Sequence, residues 1–588
     1  MFLMNAGPAF GTIEYRISLK NPEQHCFQVT VTIPHTAPGI KLAIPAWNAL
    51  YQVRDFSYRM REVQANPLSE SGNVGEKLRV YKLDKQTWKI GAGDATAGPL
   101  SPLKVQYSIL WDDAGPFNSQ LNAKHAFVNF AEVLMYVPDR RSEDTIVEFD
   151  DVPVGWRAIA ELPAGKTPNS FSASSYDTLV DAPAEIGKFE DFGFDEGGVH
   201  FRVVVDAKEW RRDRLENYLR HITSYQLQLM GGAPFQEYTF FFHIAPYPEA
   251  GGGGMEHANC TAIGAPSVES AITTAAHEFF HAWNVKRIRP QPLEPVDFTK
   301  EQYTRALWFA EGVTNTYSSY TLERTGIWPK ERFYADLAAQ INELESRPAH
   351  LWQSVEASSL DAWLEKYDDY RQPERSISYY NKGEIIGELL DLLIRDATDG
   401  HKSLDNVMTR MNETYAKQGK YYDDTEGVRV VAEEVADKSL ADFFRKYVAG
   451  TDEIPYDKFL EAAGLELKIE THNIADLGFW TVGGRGGGAT ATVSQVVPGS
   501  AAEAAGLLRG DVLLELNGEA VPALFPQWVR QHSPGEIVKL RVHRDGRELD
   551  ISFALGSNEM KKYSISELAH ISGRQKRIRE GWLRGTVN

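Results

Sequence analysis

Two periodicities divide this chain. Phe27 to Ile33 places apolar side chains at every second position and Thr12 to Leu19 does much the same, so residues 1–170 read as a β-domain. Tyr238 to Ala245 is an apolar run of strand length leading into a glycine cluster. From Ala271 to Val285 the chain is largely apolar and free of Pro and Gly, as a buried helix requires, and Arg305 to Glu323 reads as a second helix. Gly383 to Arg395 carries apolar residues at helical spacing, and Ser439 precedes another helix ending near Gly450. The pattern predicts a multidomain α+β protein: an N-terminal β-domain (1–170), a mixed α/β domain (171–328) and a helical domain (329–466), with a C-terminal tail (558–588).

The candidate chemistry lies on the first of those helices. At about 3.6 residues per turn, His277 and His281 share one face and can reach one metal ion, while Glu278 sits one position round, where it addresses a water rather than the ion. This His-Glu-x-x-His spacing is a zinc peptidase signature. The same spacing also suits two hydrogen-bonded core histidines, so the zinc reading needs a third ligand. Glu311 is the candidate: it follows the apolar run Leu307 to Ala310, where a carboxylate is costly to bury unless paired or metal-bound. Asn315, one turn further on, is placed to orient a ligand from outside.

Two further segments belong with these. Gly253 and Gly254 precede Met255, Glu256 and His257; glycines let a peptide backbone approach closely and one fixed carboxylate pairs with an ammonium, although a flexible loop has the same composition. Ser378 to Gly383 contains Tyr380 two positions before Lys382, and a tyrosine hydroxyl is a neutral donor able to stabilise an oxyanion.

Taken in order, these four motifs resemble the glycyl aminopeptidase family of gluzincin metallopeptidases, which carries a C-terminal PDZ domain. The resemblance implies a thermolysin-like catalytic domain in which one zinc ion is held by His277, His281 and Glu311, Glu278 is the general base, and Tyr380 stabilises the oxyanion. It further implies an edge strand at Gly253 and Gly254 along which substrate lies, with Glu256 holding its free amine, and removal of N-terminal residues with Gly and Ala favoured. The continuation Ala282 to Pro290 and the long interval from His281 to Glu311 are similar to this family rather than to the related aminopeptidase N family. Ile44 to Phe56 is similar to the family's Pro-x-Trp segment, except that Asn48 and Ala49 stand where Thr-Pro-Gly is usual. Residues 467–557 resemble a PDZ domain: Val497 to Gly518 matches its most recognisable run, and Leu477, Gly478 and Phe479 match the loop that receives a peptide carboxylate. The Gly-rich stretch Val482 to Gly488 departs from a regular edge strand.

The 588 residues carry 62 Lys and Arg against 81 Asp and Glu, a net charge of −19, which disfavours nucleic acid and anionic membranes as partners. The basic run Arg574 to Arg579 reads as a solvated tail. Two cysteines, Cys26 and Cys260, exclude a disulfide framework, and Cys260 reads as a small buried residue. No stretch of about 20 apolar residues is present and the first residues lack a basic leader, so the chain reads as cytoplasmic, or exported if a signal peptide precedes it. The expected partners are peptides with a free N-terminus and a peptide ligand of the PDZ domain. Two other functions fit part of the pattern: a zinc endopeptidase, and a catalytically silent binding protein organised around the PDZ domain.

Overall fold

The computed structural model describes residues 11–48, 51–69, 71–91, 101–244, 252–364, 372–483, 491–522 and 525–585. It divides into two compact units, residues 1–466 with 567–588, and residues 467–566.

The first unit opens with a six-stranded sheet. Its order is Ser170–Ala173, Thr145–Asp150, Ile13–Ser18, Cys26–Thr36, Ser101–Leu110, Met60–Pro67. The expected alternation is there: Phe27, Val29, Val31 and Ile33 are fully buried while their neighbours are not. A four-stranded sheet follows, ending in Ala184–Gly187, which still pairs with Arg157–Ala160 and His125–Val128, so the β-region runs past residue 170. Its Phe127 and Ile159 pack with Val204, Phe241 and Ala262 of the next sheet.

That next sheet has five strands in the order Glu190–Glu196, Val199–Asp206, Glu237–Ile244, Cys260–Ala265, Gly253–Glu256. The Gly-rich motif is therefore an edge strand, antiparallel to Cys260–Ala265. Cys260 is buried in the core, as a small apolar residue. Helix Val268–Phe280 begins at Ser267, whose hydroxyl accepts from the Ser270 amide in a capping box, and it buries Ala271, Ile272, Ala275, Ala276, Phe279 and Phe280.

A buried ionic triad joins the two sheets. Glu185 accepts from His125 Nδ1 at 2.8 Å and from His243 Nε2 at 3.0 Å. Burial alone would raise the Glu185 carboxyl, but the imidazoles, His125 first, hold it down at about 2, while burial of His125 is outweighed by Glu185, which raises it. The lowered carboxyl stabilises the fold fully above its unfolded value of 4.5, and that contribution is lost as pH falls through about 2. The His125 contribution is full below 6.5 and is lost as pH rises through its raised folded value. Glu185→Ala is expected to cost about 3–5 kcal/mol of unfolding free energy at pH 6, read from denaturant melts, because it strands two buried imidazoles. A loss below about 1 kcal/mol would mean the triad holds nothing together.

The segment expected as one helix over Arg305 to Glu323 is instead a π-helical turn, Trp308–Gly312, followed by an α-helix, Val313–Arg324. The cause is a close crossing with helix Tyr379–Ala397: a Cβ on Gly383 would meet the Trp308 carbonyl at 2.5 Å and the Gly312 Cα at 2.9 Å. Only glycines allow the approach, and the wider turn presents Glu311 inward.

The basic C-terminal run is not a solvated tail. Helix Gly573–Arg584 is capped by Ser572 and Gln575 and buries Ile578 and Trp582 on one face. The Trp582 indole donates to Tyr320 Oη and to Glu388 Oε2, both at 2.9 Å. Its arginines face carboxylates, Arg574 with Asp396 at 2.6 Å and Arg577 with Asp399 at 2.8 Å.

The second unit is a small sheet over its own core. Phe479–Val482 lies at one edge, followed by Ala491–Val496, Val512–Leu516, Ile537–Arg544 and Arg547–Ala554, with short helices Ala501–Ala504 and Phe525–Val529. Leu477 and Phe479 are core residues, and Gly478 turns between them at φ +71°. The Gly478 amide donates to Asp476 Oδ1 at 3.1 Å. The Gly-rich stretch from 484 to Gly488 and Ala49 lie outside the described residues. Among the described residues, no helix is long and apolar enough to cross a membrane.

Candidate active site

The last turn of helix Val268–Phe280 and the π-helical turn bring together His277, His281 and Glu311. The two Nε2 atoms lie 2.9 Å apart, and Glu311 Oε2 lies 3.4 Å from His277 Nε2 and 3.2 Å from His281 Nε2. Zinc bonds of about 2.0–2.1 Å in tetrahedral geometry put neighbouring ligand atoms roughly 3.3 Å apart, so this donor set fits one ion. Burial would depress His281, but Glu311, then Glu256 and Glu278, lift it to about 10, and Glu311 is driven down against its own burial, chiefly by His281.

Neighbouring groups fix these ligands. His281 Nδ1–H donates to the Asn284 carbonyl at 2.5 Å, which fixes the ring with Nε2 facing the other two donors. The Asn284 amide donates to Phe309 O at 2.8 Å and Thr314 Oγ1 at 3.1 Å, tying the end of the histidine helix to the turn that carries Glu311. Asn284 was not singled out in the sequence; its place in the Ala282 to Pro290 continuation was the available signal. Asn315 interacts with His277 and with Glu384.

Glu278 is 5% exposed, its Oε2 has no hydrogen-bond partner, and burial raises its carboxyl well above the ordinary range. Gly254 has no Cβ for a specific reason: the Glu278 carboxylate occupies that space. Gly253, at φ +132°, lies against Phe117. Glu256 is brought within 4.8 Å, donor to donor, of Glu278 and His281, and burial raises it too. That second donor group offers one imidazole where the first offers two. A third, His125, Glu185 and His243, is the hydrogen-bonded triad of the fold.

Tyr380 sits in the first turn of helix Tyr379–Ala397, where Ser378 Oγ accepts its amide at 3.1 Å. Its ring centroid is 6.2 Å from that of His277 and 4.7 Å from Tyr379. Tyr51, not anticipated as a site residue, enters from the β-region: Glu311 and Glu256 both act on its phenol, which burial chiefly raises. A cavity of about 40 Å³ lies over the ligands, bordered also by Tyr51, Glu256, Tyr379 and Tyr380. A cleft of about 440 Å³ shares Phe117, Gly254, His277, Glu278 and Tyr380 with it and extends along Gly252, Gly253, Thr273 and Thr274. Leu477, Gly478 and Phe479 belong to the other unit.

Residues 270–386 match the family model for M61 glycyl aminopeptidase, residues 14–188 match the M61 peptidase N-terminal domain and residues 492–542 match a PDZ domain. An aminopeptidase N family protein from Idiomarina loihiensis shares the fold at a TM-score of 0.84 and 24% identity, over 97% of this chain and 100% of that one. An M1 zinc metallopeptidase from Deinococcus radiodurans aligns at a TM-score of 0.46 and 14% identity, over 76% of this chain and 95% of that one. A probable periplasmic serine endoprotease DegP-like protein of Marinomonas sp. (strain MWYL1) is 43% identical over 67 residues, 11% of this chain. The chain spans 14% of the length of that curated relative.

Proposed function

We propose that this chain, a zinc metallopeptidase belonging to the M61 glycyl aminopeptidase family and carrying a PDZ domain, hydrolyses the N-terminal residue from peptides, small residues such as Gly and Ala first. The observation that carries the reading is the position of Glu256. It borders the 40 Å³ cavity over His277, His281 and Glu311 but not the 440 Å³ cleft, which shares Gly254, His277, Glu278 and Tyr380 with that cavity. A peptide lying in the cleft thus meets a half-buried carboxylate past the ligand cluster. An ammonium there relieves the cost of that burial and fixes the distance from chain end to scissile bond.

His277, His281 and Glu311 would hold one zinc ion, which when bound would supply a Lewis acid for the scissile carbonyl and for the attacking water. Glu278, buried and with a free oxygen, takes the proton from the attacking water and delivers it to the leaving amine. Gly254 leaves room for that carboxylate. Tyr380 donates its hydroxyl hydrogen to the developing oxyanion from the first turn of its helix. Tyr380→Phe is expected to lower kcat on the order of 10²-fold with KM little changed, by analogy with the loss of one oxyanion donor. A change confined to KM would make Tyr380 a binding residue. In the PDZ unit, Leu477, Gly478 and Phe479 form the end of an open sheet edge, with Trp480 and Val482 exposed beside it, and a peptide adding as a further strand is the ligand that edge suits.

The aminopeptidase reading is tested by pairing a free peptide with its N-acetylated twin, because acetylation removes only the charge that Glu256 meets.

A further inference from the structure

We propose that Tyr51 sets the size of the N-terminal side chain this enzyme accepts, by walling the ligand cavity off from a larger chamber behind it. The inference rests on the reading that Glu256 holds the substrate amine. Two spaces lie on either side of this wall. The cavity over the zinc ligands is about 40 Å³, a tenth of the volume of the chamber on the other side, so it leaves little room for a side chain. Behind it lies a chamber of about 400 Å³, bordered by Trp47, Asp181, Lys286, Arg289 and Leu293 among others. Tyr51 and Glu256 are the two residues that border both. Glu256 is needed for the amine, which leaves the phenol ring of Tyr51 as the removable part of the wall.

The ring is held firmly. It is 7% exposed, its centroid is 6.2 Å from that of Trp363, and it packs with Val285, Leu293, Leu307 and Ala310. The Tyr51 backbone has φ +44°, a conformation that side-chain-bearing residues seldom adopt and that persists where the surroundings over-determine it. Such a residue at the blind end of a cavity is a rigid stop rather than a mobile lid. The chamber beyond is lined in part by Trp47, Leu162, Leu293 and Phe298, so it receives an aliphatic or aromatic side chain once the stop is removed.

The test compares zinc-loaded wild type, Tyr51→Ala and Tyr51→Phe on free peptides that differ only in an N-terminal Ala, Leu or Phe. Wild type is expected to prefer Ala. In Tyr51→Ala the kcat/KM ratio of Leu or Phe over Ala is expected to rise about 10-fold or more, the scale on which pocket size discriminates. Tyr51→Phe is expected to keep the wild-type ratio, because the ring and not the hydroxyl fills the space. Tyr51→Gly, whose backbone favours the observed φ, carries the same expectation should the alanine variant not fold. Calorimetric binding of the Ala and Leu peptides to Glu278→Gln with and without the Tyr51 change is expected to show the same shift in preference without turnover. An unchanged ratio in a small-residue variant that still releases Ala would overturn the proposal, as would a Tyr51→Phe ratio matching Tyr51→Ala. Wild type that releases no N-terminal residue from any free peptide would instead overturn the aminopeptidase reading, and the proposal with it.

Discussion

Glu278→Gln is expected to retain its zinc and to lose turnover by about 10³-fold, within the range that one positioned general base contributes. The substitution keeps the shape of a side chain packed against Gly254 and removes only the capacity to accept a proton. Glu278 Oε2 is buried without a partner, an arrangement that costs free energy and that a purely structural glutamate would have resolved with a hydrogen bond. Metal analysis and kcat measured on the same preparation decide the point. Zinc retained with turnover above about a tenth of wild type would move the base elsewhere, to Glu256 as the neighbouring carboxylate outside the first donor set.

His281→Ala is expected to abolish activity by releasing the metal, with zinc affinity falling more than about 100-fold. His281 is 1% exposed and its Nε2 is the atom nearest both other donors. Changing an outer partner typically costs 10- to 100-fold in metal affinity, so Asn284→Ala is the graded comparison: it loosens the link to the π-helical turn without deleting a donor. Zinc titration against a competing chelator reads both. If His281→Ala bound zinc as wild type does, neither of the two donor groups that contain His281 would hold the ion.

The part of the candidate site that is legible in the sequence is the part whose geometry is local. His277, Glu278 and His281 share two turns of one helix, and Phe27 to Ile33 alternates over one strand, so a fixed period carries each. What was missed is set by contacts between distant segments. Tyr51 belongs to the β-region, and no local pattern announces that it ends beside Glu256 and Glu311. The π-helical turn follows from the crossing of Gly312 with Gly383, which propensity cannot encode. The triad of His125, Glu185 and His243 joins three strands far apart in the chain. The arginines of the C-terminal helix dominate its composition and give it the look of a tail, although Ile578 and Trp582, four positions apart, mark one apolar face.

The central claim, a zinc aminopeptidase whose reach past the metal ends at Glu256, is tested most directly by incubating the zinc-loaded protein with a peptide beginning Ala or Gly and with its N-acetylated twin, following products by mass spectrometry. The account predicts release of the first residue from the free peptide alone. Internal cleavage of both peptides would contradict it and make the protein an endopeptidase, and cleavage of neither would return weight to a binding role centred on the PDZ domain.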